Sequence, residues 1–234
     1  MRKTTSLLLV CLPLFFCGCQ DDAGTSGGTR TFTFDFTTGL EGWTGGFADH
    51  PDTTNSDYNL VFARTALPAP LNTAKQALKI AGTNRSDDLF MFIKRKIDGL
   101  QPNRRYDIKF EVETASNVPT NQVGVGGAPD AVWIKVGAVR NEPLSVKDNS
   151  DGHFKMNLNK GYQSTDGPDM YNIGTVGVAD NITQYTLISR NNSSRLFSIT
   201  ASASGEVWVI IGTDSGFEAR TELYYNNVRL TFTP

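Results

Sequence analysis

Short stretches in which hydrophobic and polar residues alternate recur along the chain from Thr31 to Phe232. In the clearest, Tyr106, Ile108, Phe110 and Val112 point one way, and four charged residues between and after them point the other. Alternation with a period of two is typical of a strand with one buried and one solvated face. The other predicted strands are 31–36, 60–63, 77–81, 89–97, 132–139, 154–158, 185–189, 196–200, 207–211 and 223–232.

These strands are separated by clusters of Gly, Asn, Asp and Pro, and helical periodicity is almost absent. The pattern therefore predicts an all-β protein. A single twisted sheet with this many strands would curl or split, so we expect an antiparallel sandwich of two sheets in one domain, residues 31–234. The hydrophobic fraction of 39% is sufficient to build a core between them.

The last predicted strand changes its side-chain phase. Val228, Leu230 and Phe232 share one face, whereas Leu223 and Tyr225 fall on the other. A β-bulge adds one residue to a strand and shifts the alternation by one. We therefore predict a bulge near Asn226 and Asn227.

The amino terminus has the features of an export signal. Arg2 and Lys3 precede an apolar run, 7–16, that is too short for a permanent membrane span. The run ends before Gly18-Cys19, which resembles a bacterial lipobox, in which a small residue precedes the cysteine that receives diacylglycerol. We expect a lipoprotein signal peptide at 1–18, a lipid on Cys19 and a flexible tether over 19–30; an ordinary cleaved signal peptide is the alternative. The first interpretation predicts an exported protein anchored by its lipid to a bacterial cell-envelope membrane, at the outer membrane or cell surface.

Cysteine content and charge exclude several functions. All three cysteines, Cys11, Cys17 and Cys19, lie in the signal region, so the predicted domain has no disulfide, thiolate metal site or cysteine nucleophile. Removing Arg2 and Lys3 from the 22 basic residues leaves 20 against 24 acidic residues, a net charge of −4. Binding of nucleic acid needs clustered basic residues, so we expect no nucleic-acid partner.

Three groups of residues resemble the opening, middle and closing strands of jelly-roll carbohydrate-binding modules of the family 4/9 type, within the galactose-binding-like group. They are 34–36 followed by Gly42-Trp43, 100–103 running into Tyr106, and 224–230. Segments 46–49, 84–90 and 212–218 also resemble those of a family of exported bacterial proteins. The first resemblance implies a jelly-roll fold, a glycan ligand and a structural calcium ion held by first-strand and last-strand carboxylates. Asp35 matches the first carboxylate, but Asn226 and Asn227 stand where the second is expected, so Asp35 and Asn227 are an incomplete calcium site.

The alternation of strand directions predicts where a binding site lies. If consecutive early strands reverse, the loops 42–57, 82–88 and 115–130 emerge at one end of the sandwich, and 212–222 joins them if the last strand is antiparallel to the first. We name these four segments the top loops. They carry aromatic and polar residues suited to a sugar or peptide: Trp43, Phe47, His50, Arg85, Asp87, Asp88, Asp214, Phe217 and Glu218, with Asp49, Asp52 and Arg220 beside them. The alternative is that they only stabilise the loops, with Trp43 and Phe217 closing the core.

A second candidate lies within a predicted strand. Trp133 shares its strand face with Lys135, so it is an exposed aromatic platform unless an insertion covers that face.

Three functions remain open. The first is a lipid-anchored, non-catalytic module that binds a carbohydrate or another cell-surface ligand. The second is an accessory or structural surface lipoprotein that acts through protein contacts. The third is a carbohydrate-active hydrolase or lyase, which requires two acids facing each other across a cleft; no G-x-S-x-G motif is present, and no catalytic residue is assigned.

Overall fold

The computed structural model describes residues 28–52 and 55–234. The predicted signal peptide, Cys19 and all of the tether before residue 28 lie outside the described residues. The regular structure of the described chain consists of strands and one short helix, α1 (Asn55–Tyr58). The strands are β1 (Arg30–Phe34), β2 (Thr44–Ala48), β3 (His50–Pro51), β4 (Val61–Ala66), β5 (Gln76–Thr83), β6 (Leu89–Ile97), β7 (Arg105–Ser116), β8 (Val118–Pro119), β9 (Val132–Val139), β10 (Ser145–Lys147), β11 (His153–Met156), β12 (Met170–Thr175), β13 (Gly177–Val178), β14 (Thr186–Asn191), β15 (Phe197–Thr200), β16 (Val207–Ser215) and β17 (Arg220–Thr233).

Two antiparallel sheets form the sandwich. In the first, the strand order is β14-β7-β17-β5-β4, with β1 also paired to β17 and β15 also paired to β7. In the second, the order is β12-β9-β16-β6-β2. The prediction of an all-β, antiparallel two-sheet jelly roll is therefore confirmed.

The core between the sheets follows from the alternation in the sequence. On β7 the side chains of Tyr106, Ile108, Phe110 and Val112 are buried, while the residues between them are partly exposed. The neighbouring strand β17 buries Val228, Leu230 and Phe232 in register with them. Removal of these apolar faces from water drives the two sheets together.

The predicted bulge is present in β17. The pairing of β17 with β7 shifts register between Tyr225 and Asn227, so that the extra residue is Asn226. Asn226 is buried, and its side-chain amide donates a hydrogen bond to the carboxylate of Glu113. The bulge lets Tyr225 and Val228 both face the core.

Several strands were not predicted from the pattern. The segment 44–48 was expected to be part of a loop, but it forms the edge strand β2 of the second sheet. Two of its five residues are glycines, Gly45 and Gly46, which weaken the strand signal. Here they are needed, because a Cβ on Gly46 would lie 2.4 Å from the ring of Phe92.

A long insertion covers the outer face of the second sheet. We name residues 140–169, between β9 and β12, the covering segment. It contains β10 and β11, which form a small antiparallel sheet in the order β10-β11-β3. Met156 and Leu158 of this segment pack on a second apolar cluster formed by Ala48, Phe90, Phe92, Met170 and Ile210. The outer face of this sheet is thus a second buried layer.

A search of the described ranges for helices that could cross a bilayer finds none with the required length and hydropathy.

Candidate functional site

Hydrogen bonds join the top loops to one another. Ser86 Oγ donates to the carbonyl oxygen of Asp49 over 3.2 Å, which joins the first two loops. Asn84 Nδ2 donates to Ser215 O over 3.0 Å. Glu218 N donates to Val125 O over 2.9 Å and ties the third loop to the fourth. Residues far apart in the chain are therefore fixed at one end of the sandwich.

A row of paired residues crosses the second sheet next to the top loops. Strand pairing places Trp133 of β9 opposite Asp214 of β16, and Asp214 opposite Phe90 of β6, which in turn pairs with Ala48 of β2. Paired residues point to the same face of a sheet, so Asp214 points outward, away from the main core. Lys135, two residues after Trp133, lies on the same face.

Asp214 and Lys135 form an ion pair that is wholly removed from solvent. Both side chains are 0% exposed, and Lys135 Nζ lies 2.9 Å from Asp214 Oδ2. The Lys135 ammonium also donates to the carbonyl oxygens of Lys160 and Thr165, each over 2.9 Å. An ammonium has three donors, and all three are used. Burial lowers the pKa of Lys135, an effect that the carboxylate of Asp214 opposes.

A second lysine reaches the same carboxylate from the covering segment. Lys160 Nζ lies 2.8 Å from Asp214 Oδ2, 2.9 Å from Asp49 Oδ2 and 3.9 Å from Asp88 Oδ1. It also lies 5.1 Å from the ring centre of Phe90. Burial alone would lower the pKa of Lys160, but the three surrounding carboxyl groups raise it above its ordinary value. We name Asp49, Asp88, Lys135, Lys160 and Asp214 the Asp–Lys cluster.

Two acids of the cluster are easier to protonate than ordinary aspartates. Burial raises the pKa of Asp88 to about 8, helped by the charges of Asp214 and Asp49 and opposed by Lys160. Burial also raises the pKa of Asp49, again against the effect of Lys160. The Oδ1 atoms of Asp88 and Asp214 are buried and have no hydrogen-bond partner within the described chain. A proton on Asp88 is therefore favoured near neutral pH.

A pocket of about 600 Å³ opens beside the cluster. Asp49, Asp88 and Lys160 form one wall, and the rest of the lining comes from the covering segment: Lys155, Met156, Asn157, Leu158, Asn159, Gly161, Tyr162 and Asp169. Its volume is within the range of about 300 to 1,000 Å³ that small-molecule sites occupy. Tyr162 is 53% exposed and offers an aromatic ring at this pocket.

Hydrogen bonds tie the covering segment to the top loops at the pocket edge. Gln163 Nε2 donates to the carbonyl oxygen of Asp87 over 3.1 Å and to the hydroxyl of Tyr162 over 3.3 Å. Asp169 Oδ2 accepts from Asn159 N over 2.7 Å on the opposite side. The Gln163–Asp87 bond thus connects the covering segment to a top loop, and the Asn159–Asp169 bond holds the covering segment to itself.

The aromatic candidates of the top loops lie against the core. Trp43 is fully buried and packs edge-on against Phe34, with ring centres 5.5 Å apart. Phe47 and Phe217 are half-buried and pack on the main core. The expectation that Trp43 is a ligand platform is not supported by its position, because its ring is inaccessible; it closes the core instead.

The polar candidates divide into two groups. Asp88 lines the pocket and Asp214 lies directly beneath it, next to Asp49. His50 is 8% exposed and packs between the rings of Tyr58 and Phe154, which takes it out of reach of a ligand. The remaining candidates, Arg85, Asp87 and Glu218, have exposed side chains, none of which lines the pocket.

Trp133 is half-buried on the covered face of the second sheet. The prediction that it shares a face with Lys135 agrees with the pairing of β9, but the covering segment places Lys135 in the interior. That face is therefore not the open platform that one interpretation of the sequence expected.

Asp35, the candidate calcium ligand, is engaged within its own loop. The carboxylate of Asp35 accepts a hydrogen bond from Thr37 N over 2.9 Å, and this bond lowers the pKa of Asp35. Within residues 28–52 and 55–234, no group of three metal-capable side chains includes Asp35. The one such group there is Asp49, Asp88 and Asp214, whose oxygens lie within 4.8 Å of one another, but the Lys160 ammonium already occupies the position of a counter-cation.

Of the two lysines in the Asp–Lys cluster, only Lys135 could have been identified from the sequence pattern. Lys135 had a signal, because a charged residue interrupts the apolar side chains of a central strand. Lys160 had none, because the segment Asn159-Lys160-Gly161 has the composition of an ordinary solvated turn. Tyr162 and Asp169 were missed for the same reason.

No protein-family model matches the chain, and no curated protein matches it. Among solved structures, the mannan-recognising carbohydrate-binding module TmCBM27 is similar, with 13% identity and a TM-score of 0.41 over 88% of this chain and 99% of that chain. The family 11 carbohydrate-binding module of the Clostridium thermocellum cellulase Lic26A-Cel5E has 10% identity and a TM-score of 0.40 over 86% and 94%.

The enzymatically active domain of bacteriophage CBA120 tailspike protein 4 has 8% identity and a TM-score of 0.38 over 83% of this chain and 20% of that chain. Similarities of this size carry no information about a ligand, and the fold rests on the strands and sheets described above.

Replacement of Asp214 should destabilise the protein. Asp214→Asn removes the negative charge that both buried lysines face, and loss of one partner of a buried ion pair costs about 3–5 kcal/mol. Urea unfolding at neutral pH measures this loss. Asp52→Asn is the matched control, since Asp52 forms an exposed pair with Lys147, and such pairs contribute about 0–1 kcal/mol. Equal effects of the two substitutions would contradict the role given to Asp214.

Asp88 should make stability fall as pH rises. Its pKa is about 3.9 in an unfolded chain and about 8 in the folded protein, so the folded state binds more protons between these values. Its contribution is complete below about pH 4 and is lost progressively up to about pH 8. Urea unfolding at pH 5, 7 and 9 should show a smaller decline for Asp88→Asn than for the wild type. Parallel curves would show that Asp88 does not hold the proton.

Proposed function

We propose that this chain is a carbohydrate-binding protein whose ligand occupies the pocket beside the Asp–Lys cluster. The observation that carries the proposal is the pocket itself, with carboxylates on one wall and the exposed ring of Tyr162 at its lining. Sugars present several hydroxyl donors around an apolar ring face. Carboxylate acceptors and an aromatic ring match these two features.

The second support is the rigidity of the acceptor wall. Asp49 and Asp88 are held near Lys160, which is itself held by Asp214. Because these side chains are fixed before a ligand arrives, little conformational entropy is lost when the ligand binds. A site of this kind discriminates between sugars by the positions of their hydroxyl groups.

A hydrolase is the second candidate, favoured by one observation. Asp88 has the raised pKa of a general acid, and other carboxylates lie within 4.8 Å of it. The arrangement favours binding, however, because Asp214 is fully buried and Asp49 is paired with Lys160 on the same wall. A hydrolase needs its two acids on opposite sides of the scissile bond. Product analysis of any bound oligosaccharide separates these two functions.

If the protein acts through contacts with another protein, the candidate surface is separate from the pocket. Val123 and Val125 in the third top loop are 100% and 67% exposed, and neither belongs to the pocket. Their replacement leaves the carbohydrate site unchanged, so the two functions can be tested independently.

A glycan array followed by calorimetry on the strongest ligand tests carbohydrate binding. Tyr162→Ala should weaken binding on the order of tenfold, since an aromatic contact contributes about 0.5–1.5 kcal/mol beyond its buried area. Asp49→Asn should weaken binding as well, because it removes an acceptor from the wall. Leu187→Ala, which removes a 40% exposed side chain of β14, is the control and should bind as the wild type does. A glycan whose affinity is the same for all four proteins binds elsewhere.

We also propose that the protein is exported and anchored by a lipid on Cys19, at the outer membrane or cell surface. The support is the sequence alone, with its basic start, short apolar run and Gly18-Cys19 junction. The polar tether that follows would hold the sandwich away from the lipid.

Metabolic labelling with radioactive palmitate tests the anchor in a bacterium that expresses the full chain. Cys19→Ser should abolish labelling and release the protein from the membrane fraction, because serine offers no thioether-forming sulfur. Cys17→Ser should remain labelled and is the matched control. Labelling that depends on Cys17 instead would move the processing site by two residues.

A further inference from the structure

The Asp–Lys cluster is electrically unbalanced when all of its groups are ionised. Asp49, Asp88 and Asp214 then carry three negative charges, against two positive charges on Lys135 and Lys160. Such a deficit is costly in a site this far from water. The cluster becomes neutral when Asp88 holds a proton, in agreement with its raised pKa.

The lysines near the pocket are already engaged by acids or by carbonyl oxygens of the chain. Lys135 uses its three donors on Asp214 and two carbonyl oxygens. Lys160 is held by Asp214, Asp49 and the carbonyl oxygen of Gly161. Lys155 forms ion pairs with Asp148 and Asp151, at 2.9 and 2.7 Å. At the wall formed by Asp49, Asp88 and Lys160, an anionic ligand therefore meets two acids and one ammonium that is already paired with acids.

The carboxylate oxygens that accept no hydrogen bond favour a cationic ligand. Asp214 is 0% exposed, and its Oδ1 accepts no hydrogen bond from the described residues; the same holds for Asp88 Oδ1. The oxygens of Asp49, Asp88 and Asp214 lie within 4.8 Å of one another, so a positive charge brought to one of them is felt by all three. The site lacks one positive charge, which either a proton or a ligand cation can supply.

We propose that the pocket selects sugars that carry a protonated amino group, and that this ammonium pairs with Asp88 beside the buried oxygens of Asp49 and Asp214. This inference rests on the proposed carbohydrate-binding function and names its ligand class. The exchange is balanced: the neutral carboxyl of Asp88 loses its proton to solvent, and the ammonium of the sugar then pairs with the carboxylate. Asp49 and Asp214 attract an ammonium as they attract the proton, Lys160 repels both, and Tyr162 also lines the pocket.

Three β-1,4-linked glucose-type oligosaccharides of equal length test the selection, because they differ only at C2. Cello-oligosaccharide carries a hydroxyl there, chitosan oligosaccharide an ammonium, and chitin oligosaccharide an acetamide. At pH 6 we expect the chitosan oligomer to bind at least about tenfold more tightly than the other two. Binding should also weaken as salt is added, since screening reduces the attraction.

Proton release provides a second readout. Calorimetry of the chitosan oligomer in two buffers with different ionisation enthalpies should reveal about one proton released per ligand bound. With Asp88→Asn the observed heat should no longer depend on the buffer, and the preference for the ammonium should shrink. Asp87→Asn, at the exposed neighbouring acid, is the matched control and should behave as the wild type does.

Each alternative result is distinct. Equal affinity for the three oligomers overturns the amino-sugar inference, while carbohydrate binding stands. An array on which only neutral or acidic glycans bind has the same consequence. Failure of every glycan on the array overturns both proposals. Calcium that binds the wild type alone, but not Asp88→Asn, overturns the inference in favour of a metal site.

Discussion

The shared carboxylate of Asp214 is the interaction on which the site depends. Its Oδ2 accepts from Lys135 of a neighbouring strand and from Lys160 of the covering segment, at 2.9 and 2.8 Å. Lys135 in turn binds two backbone carbonyl oxygens in the segment 160–165. One buried negative charge therefore fixes a strand, a loop and the wall of the pocket at once.

A cluster of this kind contributes specificity more than net stability. Desolvation of the charged groups offsets much of their mutual attraction, so an apolar replacement of the whole cluster could be equally stable. What it provides is a single arrangement of the covering segment, because a shift of a few ångströms would leave an ammonium without acceptors in an apolar layer. The neighbouring side chains of Phe90, Met156 and Leu158 contribute the burial that excludes water.

The position of the pocket follows from two features of the fold. The top loops deliver Asp49 and Asp88 to one end of the sandwich, as the alternation of strand directions requires. The covering segment then lies across the outer face of the second sheet and brings Lys160 to them. The pocket is therefore at the junction of the loops with a covered sheet, instead of at the tip of the loops or on an open face.

The alternation of side chains by itself determined the two-sheet fold, the strands of the main core and the bulge at Asn226, because burial of one strand face is a local property with a period of two. The parity of strand reversals predicted that the loop with Asp88 opens at one end, and Asp214 joined it only on the further assumption that the last strand is antiparallel to the first. Only the tertiary structure decided that Trp43 and His50 are buried, that Lys135 is interior, and that Lys160 completes the cluster. The burial of Trp43 depends on how the two sheets close around Phe34. The surroundings of His50, Lys135 and Lys160 depend on a thirty-residue insertion, whose contacts are made across long distances in sequence by residues with the local pattern of a solvated turn.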